Sequence, residues 1–204
     1  MTEDEARRWI NACFDVSRET LLVELTALIV AEAANQNLVS ASSLESLWTR
    51  HIVDSAQLIP LAARHPGSWI DIGSGAGFPG LVVAILTDRP VTLIEPRRKR
   101  AQFLERAVAV LQLGARVTVV AARAEQYQAK AAVISARAVS AVPELLTSAA
   151  HLSTTKSLWL LPKGPRALEE VEAARRTWHG SFHVEQSITE ASSLIITAKG
   201  VARR

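Results

Sequence analysis

Residues 69–80 have the sequence Trp-Ile-Asp-Ile-Gly-Ser-Gly-Ala-Gly-Phe-Pro-Gly, in which a short apolar run is followed at once by alternating glycines. The run 69–72 has the residue types of a buried strand, and the apolar segment 81–86 suits a buried helix. Glycine permits positive φ and a close approach of the backbone to a ligand, and Pro79 suits a first helical turn. The stretch therefore predicts a strand, a ligand-binding turn and a helix.

Strand-like and helical segments alternate from residue 68 onward, which is typical of a parallel sheet with crossover helices. We predict strands at 69–72, 91–94, 117–120, 132–135, 158–161, 182–188 and 193–197, and helices at 81–86, 97–113 and 167–177. Only four residues separate the last two strands, too few for a helical crossover, so this pair must be antiparallel. The predicted fold class is α/β, with a mostly parallel seven-stranded sheet that ends in an antiparallel hairpin.

The first 65 residues differ from the rest because they contain only helical patterns. Apolar spacing predicts helices at 15–34 and 44–63, and the sequence His65-Pro66-Gly67 ends the second. We therefore divide the chain into an N-terminal helical extension, residues 1–65, and a ligand-binding domain, residues 66–204, that forms one compact unit.

Composition is that of a globular protein, with 49% hydrophobic and 21% charged residues in a chain of 204. No run approaches the roughly 18 apolar residues of a membrane span, and the acidic start lacks the basic region of a signal peptide. We expect a cytoplasmic protein without membrane contact. The single cysteine, Cys13, predicts neither a disulfide nor a cysteine-based metal site, and we expect no bound metal.

Charge is unevenly distributed along the chain. The net charge is only +3, but residues 89–137 contain ten Lys or Arg against three Glu. A local positive field of this kind attracts a polyanion or a phosphate-bearing ligand. The alternative interpretation is a set of solvated helix faces.

The glycine-rich turn fits two cofactors. Residues 75–80 satisfy the dinucleotide pattern G-x-G-x-x-G, but Asp71 and Gly73 precede them in a D-x-G-x-G-x-G register. That register resembles class I methyltransferases, whose turn wraps S-adenosylmethionine, so we favour this cofactor over a nicotinamide. The remaining alternative is a tight turn that binds nothing. Glu95, at the end of the second strand, can accept hydrogen bonds from ribose hydroxyls, or can instead pair with a nearby arginine such as Arg97.

Six segments resemble the small-subunit ribosomal RNA methyltransferase G family, also called glucose-inhibited division protein B, which methylates guanine N7 in 16S ribosomal RNA. They are residues 37–40, 50–55, 71–80 with the ending Gly-Phe-Pro-Gly, 99–104, 134–138 and 161–164. The resemblance covers nearly the whole chain. It implies a class I methyltransferase (Rossmann-like) fold, with S-adenosylmethionine as cofactor and S-adenosylhomocysteine as product. Glu95-Pro96 departs from the family, whose members often have Asp followed by a small residue.

The resemblance implies cofactor contacts at Gly73, Phe78, Ala124, Glu125 and Arg137. With the turn and the ribose-binding acid, the predicted cofactor-binding set is Asp71, Gly73, Gly75, Gly77, Phe78, Glu95, Ala124, Glu125 and Arg137.

Methylation at guanine N7 needs no general base, because N7 already has an in-plane lone pair; positioning and electrostatics are sufficient. We predict Arg137 and Lys163 as positioning residues, since each follows a strand at the sheet edge where ligands bind. The predicted RNA-binding residues are Arg50, His51, Arg97, Arg98, Arg123 and Lys163. The expected partner is 16S ribosomal RNA or the small ribosomal subunit, bound by a monomer.

Three other functions remain open from the residues alone. One is a class I methyltransferase that acts on a small molecule or a protein. Another is a nicotinamide-dependent oxidoreductase, which would bind NAD and not S-adenosylmethionine. The last is a non-enzymatic nucleotide-sensing or RNA-binding module, which would transfer no methyl group.

Overall fold

The computed structural model describes all 204 residues, and its centre is a seven-stranded sheet in the order β3-β2-β1-β4-β5-β7-β6. The strands are β1 Trp69–Ile72, β2 Val91–Ile94, β3 Val117–Val120, β4 Val133–Ala136, β5 Leu158–Lys163, β6 Trp178–Gln186 and β7 Leu194–Arg203. Strands β1 to β5 are parallel, and β7 is antiparallel to both β5 and β6. The predicted α/β class and the antiparallel end are confirmed.

The last two strands are longer than predicted. Most residues of β6 are exposed, so its apolar pattern marks only the buried positions and underestimates its length. The order of the strands reverses between β1 and β4, which both pair with their neighbours in parallel. In open α/β sheets the crevice at such a switch point, beyond the carboxyl ends of the strands, is where ligands bind.

Four helices cross between the strands: α6 Gly80–Leu86, α7 Arg98–Val110, α8 Val142–Ala149 and α9 Ala167–Arg175, with short 3-10 turns at Ala124–Gln126 and Ala150–Leu152. Helix α8 was not predicted. It buries Val142, Leu145, Leu146 and Ala149, which have helical spacing over only two turns. So short a periodic segment is difficult to recognise without its packing partner.

The extension consists of α1 Glu3–Cys13, α2 Val16–Glu32, α3 Ala41–Leu44, a π-helix Trp48–Val53, α4 Asp54–Ala56 and α5 Leu58–Leu61. The prediction of one continuous helix over 44–63 is therefore wrong, although the segment is helical. Two carboxylate oxygens of Glu3 accept hydrogen bonds from the backbone N–H groups of Trp48 and Thr49 at the start of the π-helix. This distant side chain, which no local pattern reveals, stabilises the wider turn.

Two apolar clusters cover the sheet. One contains Ile10, Leu22 and Ile52 of the extension together with Leu81 and Leu93. The other lies against α8, α9, β6 and β7. The extension thus packs into the same cluster as α6 and brings its π-helix to the carboxyl edge of the sheet. None of the helices has the length and apolarity needed to cross a lipid bilayer.

Candidate functional site

The glycine turn follows β1 and needs glycine at three positions. Gly73, Gly75 and Gly77 have φ values of +67°, +57° and +95°. A Cβ on Gly73 would lie 2.6 Å from Val139 Cγ2, and one on Gly77 would lie 2.4 Å from Leu81 Cδ1. Both the backbone conformation and the lack of space therefore exclude side chains at these two positions.

Asp71 lies behind the turn and is fully buried. Its carboxylate accepts hydrogen bonds from Ser135 Oγ at 2.6 Å and from Gly80 N at 3.1 Å. Burial nevertheless raises the pKa of the Asp71 carboxyl to about 6, against the lowering effect of these hydrogen bonds. This predicted cofactor residue thus connects β1 to β4 and to the start of α6, so its carboxylate stabilises the turn from behind.

We expect the raised pKa of Asp71 to appear in the pH dependence of folding. An unfolded chain loses this proton near pH 4 and the folded chain near pH 6, so stability falls as pH rises through that window, by up to about 3 kcal/mol. Asp71→Asn removes the titration. The free energy of unfolding of the wild type minus that of the variant, from urea titrations, should therefore decrease between pH 4 and 7.

The control is Asp88→Asn. Arg18 hydrogen-bonds Asp88 and lowers the pKa of that carboxyl, so the same difference should increase as the pH rises through the acidic range. A wild-type minus Asp71→Asn difference that stays constant between pH 4 and 7 would contradict the raised pKa.

Glu95 is buried beside the turn and its two carboxylate oxygens accept backbone hydrogen bonds. Gly75 N donates to one oxygen at 2.9 Å and Arg97 N to the other at 2.8 Å. The alternative of an ion pair with a nearby arginine is not what the structure shows: the Arg97 side chain is exposed and makes no salt bridge with Glu95. The carboxylate is held against the turn, and ribose binding by Glu95 stays a prediction.

A cavity of about 590 Å³ opens at the carboxyl ends of β1 and β2. We call it the first cavity. Its walls include five predicted site residues, Gly73, Arg97, Arg123, Ala124 and Glu125. Gly75, Gly77, Phe78, Glu95 and Arg137 do not line it. The volume lies in the range of small-molecule sites, which is roughly 300–1,000 Å³.

Arg137 faces the extension. Its guanidinium donates hydrogen bonds to Asp54 Oδ2 at 3.0 Å, to the carbonyl of Arg50 at 3.0 Å and to His51 Nδ1 at 2.8 Å. It also lies 5.3 Å from the centre of the Phe78 ring, on which His51 stacks at 4.8 Å. We call these five residues the Arg137 cluster. Asp54 was not among the predicted site residues; its signal was a carboxylate four positions after Arg50.

His51 is a neutral member of this cluster. The guanidinium can only donate, so Nδ1 must accept and the proton must be on Nε2. Burial, and then the charges of Arg137 and Arg50, lower the pKa of the His51 imidazole to about 3. His51 therefore carries no charge at neutral pH with which to bind a phosphate, and it orients Arg137 instead. The RNA contact predicted for His51 stays a prediction, and a neutral imidazole would make it without a positive charge.

Lys163 is also held by neighbours. Its Nζ pairs with Glu170 at 2.8 Å and donates to the carbonyl of Ser140 at 2.6 Å. Glu170 in turn accepts a hydrogen bond from Val142 N at 2.9 Å. Because only about a tenth of the Lys163 side chain is exposed, it secures the loop at 138–141 after β4.

A second cavity, of about 470 Å³, adjoins the first across this loop. Val139 and Ser140 line both, while Arg137 and Lys163 line only the second. A third cavity, of about 570 Å³, meets the second at Asp54 and includes Arg50. The second cavity thus shares lining residues with each of the other two, and we call the three together the groove. Of the predicted RNA-binding residues, His51 and Arg98 line none of them: His51 is partly buried in the Arg137 cluster, and Arg98 is exposed at the start of α7.

Solved structures of methyltransferases have the same fold. A tRNA methyltransferase of Bacillus subtilis superposes with a TM-score of 0.58 at 14% identity, over 74% of this chain and 65% of that one. A ribosomal protein L11 methylase of Lactobacillus delbrueckii gives a TM-score of 0.58 at 13% identity, over 74% and 77%. At such identities the likeness concerns the fold, and the predicted class I methyltransferase fold is confirmed.

Relatives match along nearly the full length. The ribosomal RNA small subunit methyltransferase G of Rhizorhabdus wittichii is 47% identical over 100% of this chain and 95% of its own. The protein of the same name from Zymomonas mobilis is 44% identical over 97% and 94%. The family model for rRNA small subunit methyltransferase G (GidB) matches residues 18–195. The chain therefore belongs to the rRNA small subunit methyltransferase G family.

Proposed function

We propose that this protein transfers a methyl group from S-adenosylmethionine to N7 of a guanine in 16S ribosomal RNA. Family membership supports the reaction class and the kind of substrate. The structural observation that carries the proposal is the meeting of two cavities at the loop 138–141: one lies at the glycine turn and the other is lined by Arg137 and Lys163. A cofactor and a base bound in them would lie side by side along that loop.

The first cavity fits the proposed cofactor. At Gly73 the Val139 side chain lies in the space that a Cβ would take, and both residues line the cavity, so a ligand there would contact the glycine backbone and the Val139 methyl groups together. Ile72, Ile94 and Pro96 offer apolar surface suited to an adenine, while Glu125 offers a carboxylate. S-adenosylmethionine, when bound, supplies a methyl group on a positively charged sulfur. Gly73, Ala124 and Glu125 would hold it, and Glu95 would support the turn from its position beside Gly75.

The residues of the second cavity suit a guanine that needs no deprotonation. Three N–H bonds of the Arg137 guanidinium are directed to the extension, which leaves two of its five donors for a ligand. A hydrogen bond from one of these N–H groups to guanine O6 or to a neighbouring phosphate would orient the base and leave N7 free. Rigid positioning of this kind accelerates the reaction because it holds the reacting atoms close together and aligned.

Lys163 and Glu170 allow a test of whether the lysine acts through the loop or on RNA. We expect Lys163→Met and Glu170→Gln each to lower kcat/KM for methyl transfer about tenfold, because each loosens the loop 138–141. A direct phosphate contact by Lys163 predicts a different pattern. In that case only Lys163→Met would also make the salt dependence of RNA binding shallower, by about one counterion.

The proposal is tested by incubating the protein with methyl-labelled S-adenosylmethionine and either 16S ribosomal RNA or small subunits from a strain without this activity. We expect label in the RNA, and 7-methylguanosine after digestion and mass spectrometry. Label in protein or in small molecules would favour another methyltransferase. Calorimetry that detects NAD binding but no S-adenosylmethionine binding would favour an oxidoreductase. RNA binding without methyl transfer would leave a binding module.

A further inference from the structure

A basic cavity lies at the amino edge of the sheet, opposite the glycine turn. Its volume is about 330 Å³. Arg64 and His65 of its lining precede β1, Lys130 precedes β4, and Lys156 precedes β5. Because β1, β4 and β5 are adjacent parallel strands, the three connections meet at one edge. We call this site the amino-edge cavity.

The positive charge of the amino-edge cavity has no counter-charge. No Asp or Glu lines it. Arg64, Lys130 and Lys156 are exposed, and none of them takes part in any of the salt bridges of the structure. Unpaired cations around a concave surface raise the local concentration of anions. A ligand with negatively charged oxygens is therefore the class that this cavity favours.

Hydrogen bonds join the connecting segments that carry these cations. His65 Nδ1 donates to the carbonyl of Lys156 at 3.2 Å, since a carbonyl can only accept. Ser157 Oγ donates to the carbonyl of Ala131 at 2.6 Å, which joins the connections before β4 and β5. Arg89 donates to the carbonyl of His65 from the other side. Ordered walls reduce the entropy lost when a ligand binds.

We propose that the amino-edge cavity binds a backbone phosphate of the ribosomal RNA substrate, at a contact separate from the groove in which methyl transfer occurs. The inference rests on the proposed RNA substrate. Strand β1 alone, four residues long, places about 13 Å between the two edges, so a small ligand in the groove does not reach this cavity but a folded RNA does. Lysines act here as point charges on a phosphate without reading a base.

The test is the double variant Lys130→Gln/Lys156→Gln. Binding to 16S ribosomal RNA is measured over a series of salt concentrations, and S-adenosylmethionine binding is measured by calorimetry. We expect RNA affinity about tenfold lower near 0.1 M salt, and a plot of log affinity against log salt that is shallower by about one to two units. Cofactor affinity and melting temperature should stay at wild-type values, because both side chains are exposed.

The matched control is Arg176→Gln/Arg204→Gln, which removes the same charge from two exposed residues at the end of α9 and the chain terminus. Its salt slope should stay close to that of the wild type. The cavity assignment is overturned if the lysine variant keeps the wild-type slope, or if the control reduces the slope equally. A wild-type protein that does not methylate RNA would instead refute the RNA substrate, and with it this contact.

Discussion

Replacing Gly75 with valine should weaken S-adenosylmethionine binding about 100-fold, or ~3 kcal/mol. Gly75 has φ +57°, a conformation that a β-branched residue strongly disfavours. The nearest atoms to an added Cβ are 3.6 Å away or more, so the cost is in the backbone and not in a clash. The free turn would relax to negative φ and withdraw the Gly75 N–H from Glu95, and binding would have to restore the strained conformation. Calorimetry gives the affinity.

Gly200→Val is the matched control for this variant. Gly200 has a similar φ of +63°, and an added Cβ would meet no atom within 4 Å. It lies in β7, in the hairpin at the end of the sheet. We expect both variants to lose stability of about 1–3 kcal/mol, and only Gly75→Val to lose cofactor affinity. Wild-type affinity in Gly75→Val would show that the cofactor does not use this turn.

Arg137→Ala should reduce kcat for methyl transfer about 100-fold. Arg137 is the only residue of its cluster that presents unused N–H donors to the second cavity, and the variant removes them. The family resemblance implies a cofactor contact for Arg137, whereas the side chain lines the second cavity and not the first. We therefore expect the affinity for S-adenosylmethionine to change less than about threefold, a change of under 1 kcal/mol. A parallel loss of cofactor affinity would contradict this and support the contact implied by the family.

Stability must be separated from function in this variant. Removal of Arg137 leaves the Asp54 carboxylate, about one-seventh exposed, without its cation, at a cost of about 1–2 kcal/mol. The double variant Arg137→Ala/Asp54→Asn should recover most of that stability and none of the activity. Asp54→Asn alone retains the contacts of Arg137 with Arg50 and His51, so its activity should lie between the wild type and Arg137→Ala. Recovery of activity in the double variant would assign Arg137 a purely structural role.

The fold was predictable because its signals are local. Alternating apolar segments predict a parallel sheet wherever they occur. The link between the last two strands, four residues as predicted and residues 187–193 in the structure, excludes a helical crossover on length alone. The alternating glycines at 73–77 likewise predict a turn by residue type alone, and the positive φ values confirm that turn. The local excess of cations at 89–137 is also visible in the sequence, but composition alone left a polyanion and solvated helix faces as alternatives.

The arrangement of the site depends on contacts between residues far apart in the chain. Arg137 meets His51 and Asp54 across more than 80 residues, and the carboxylate of Glu3 lies at the start of the π-helix 45 residues away. Periodicity reports which face of an element is buried, but not which charged groups the packing then brings together. The cofactor site could be predicted from the glycine turn, because its signal lies in consecutive residues. Three features required the packed chain, because each depends on which distant residues the fold brings together. They are the neutral state of His51, the Lys163–Glu170 pair on the loop 138–141 and the uncompensated charge of the amino-edge cavity.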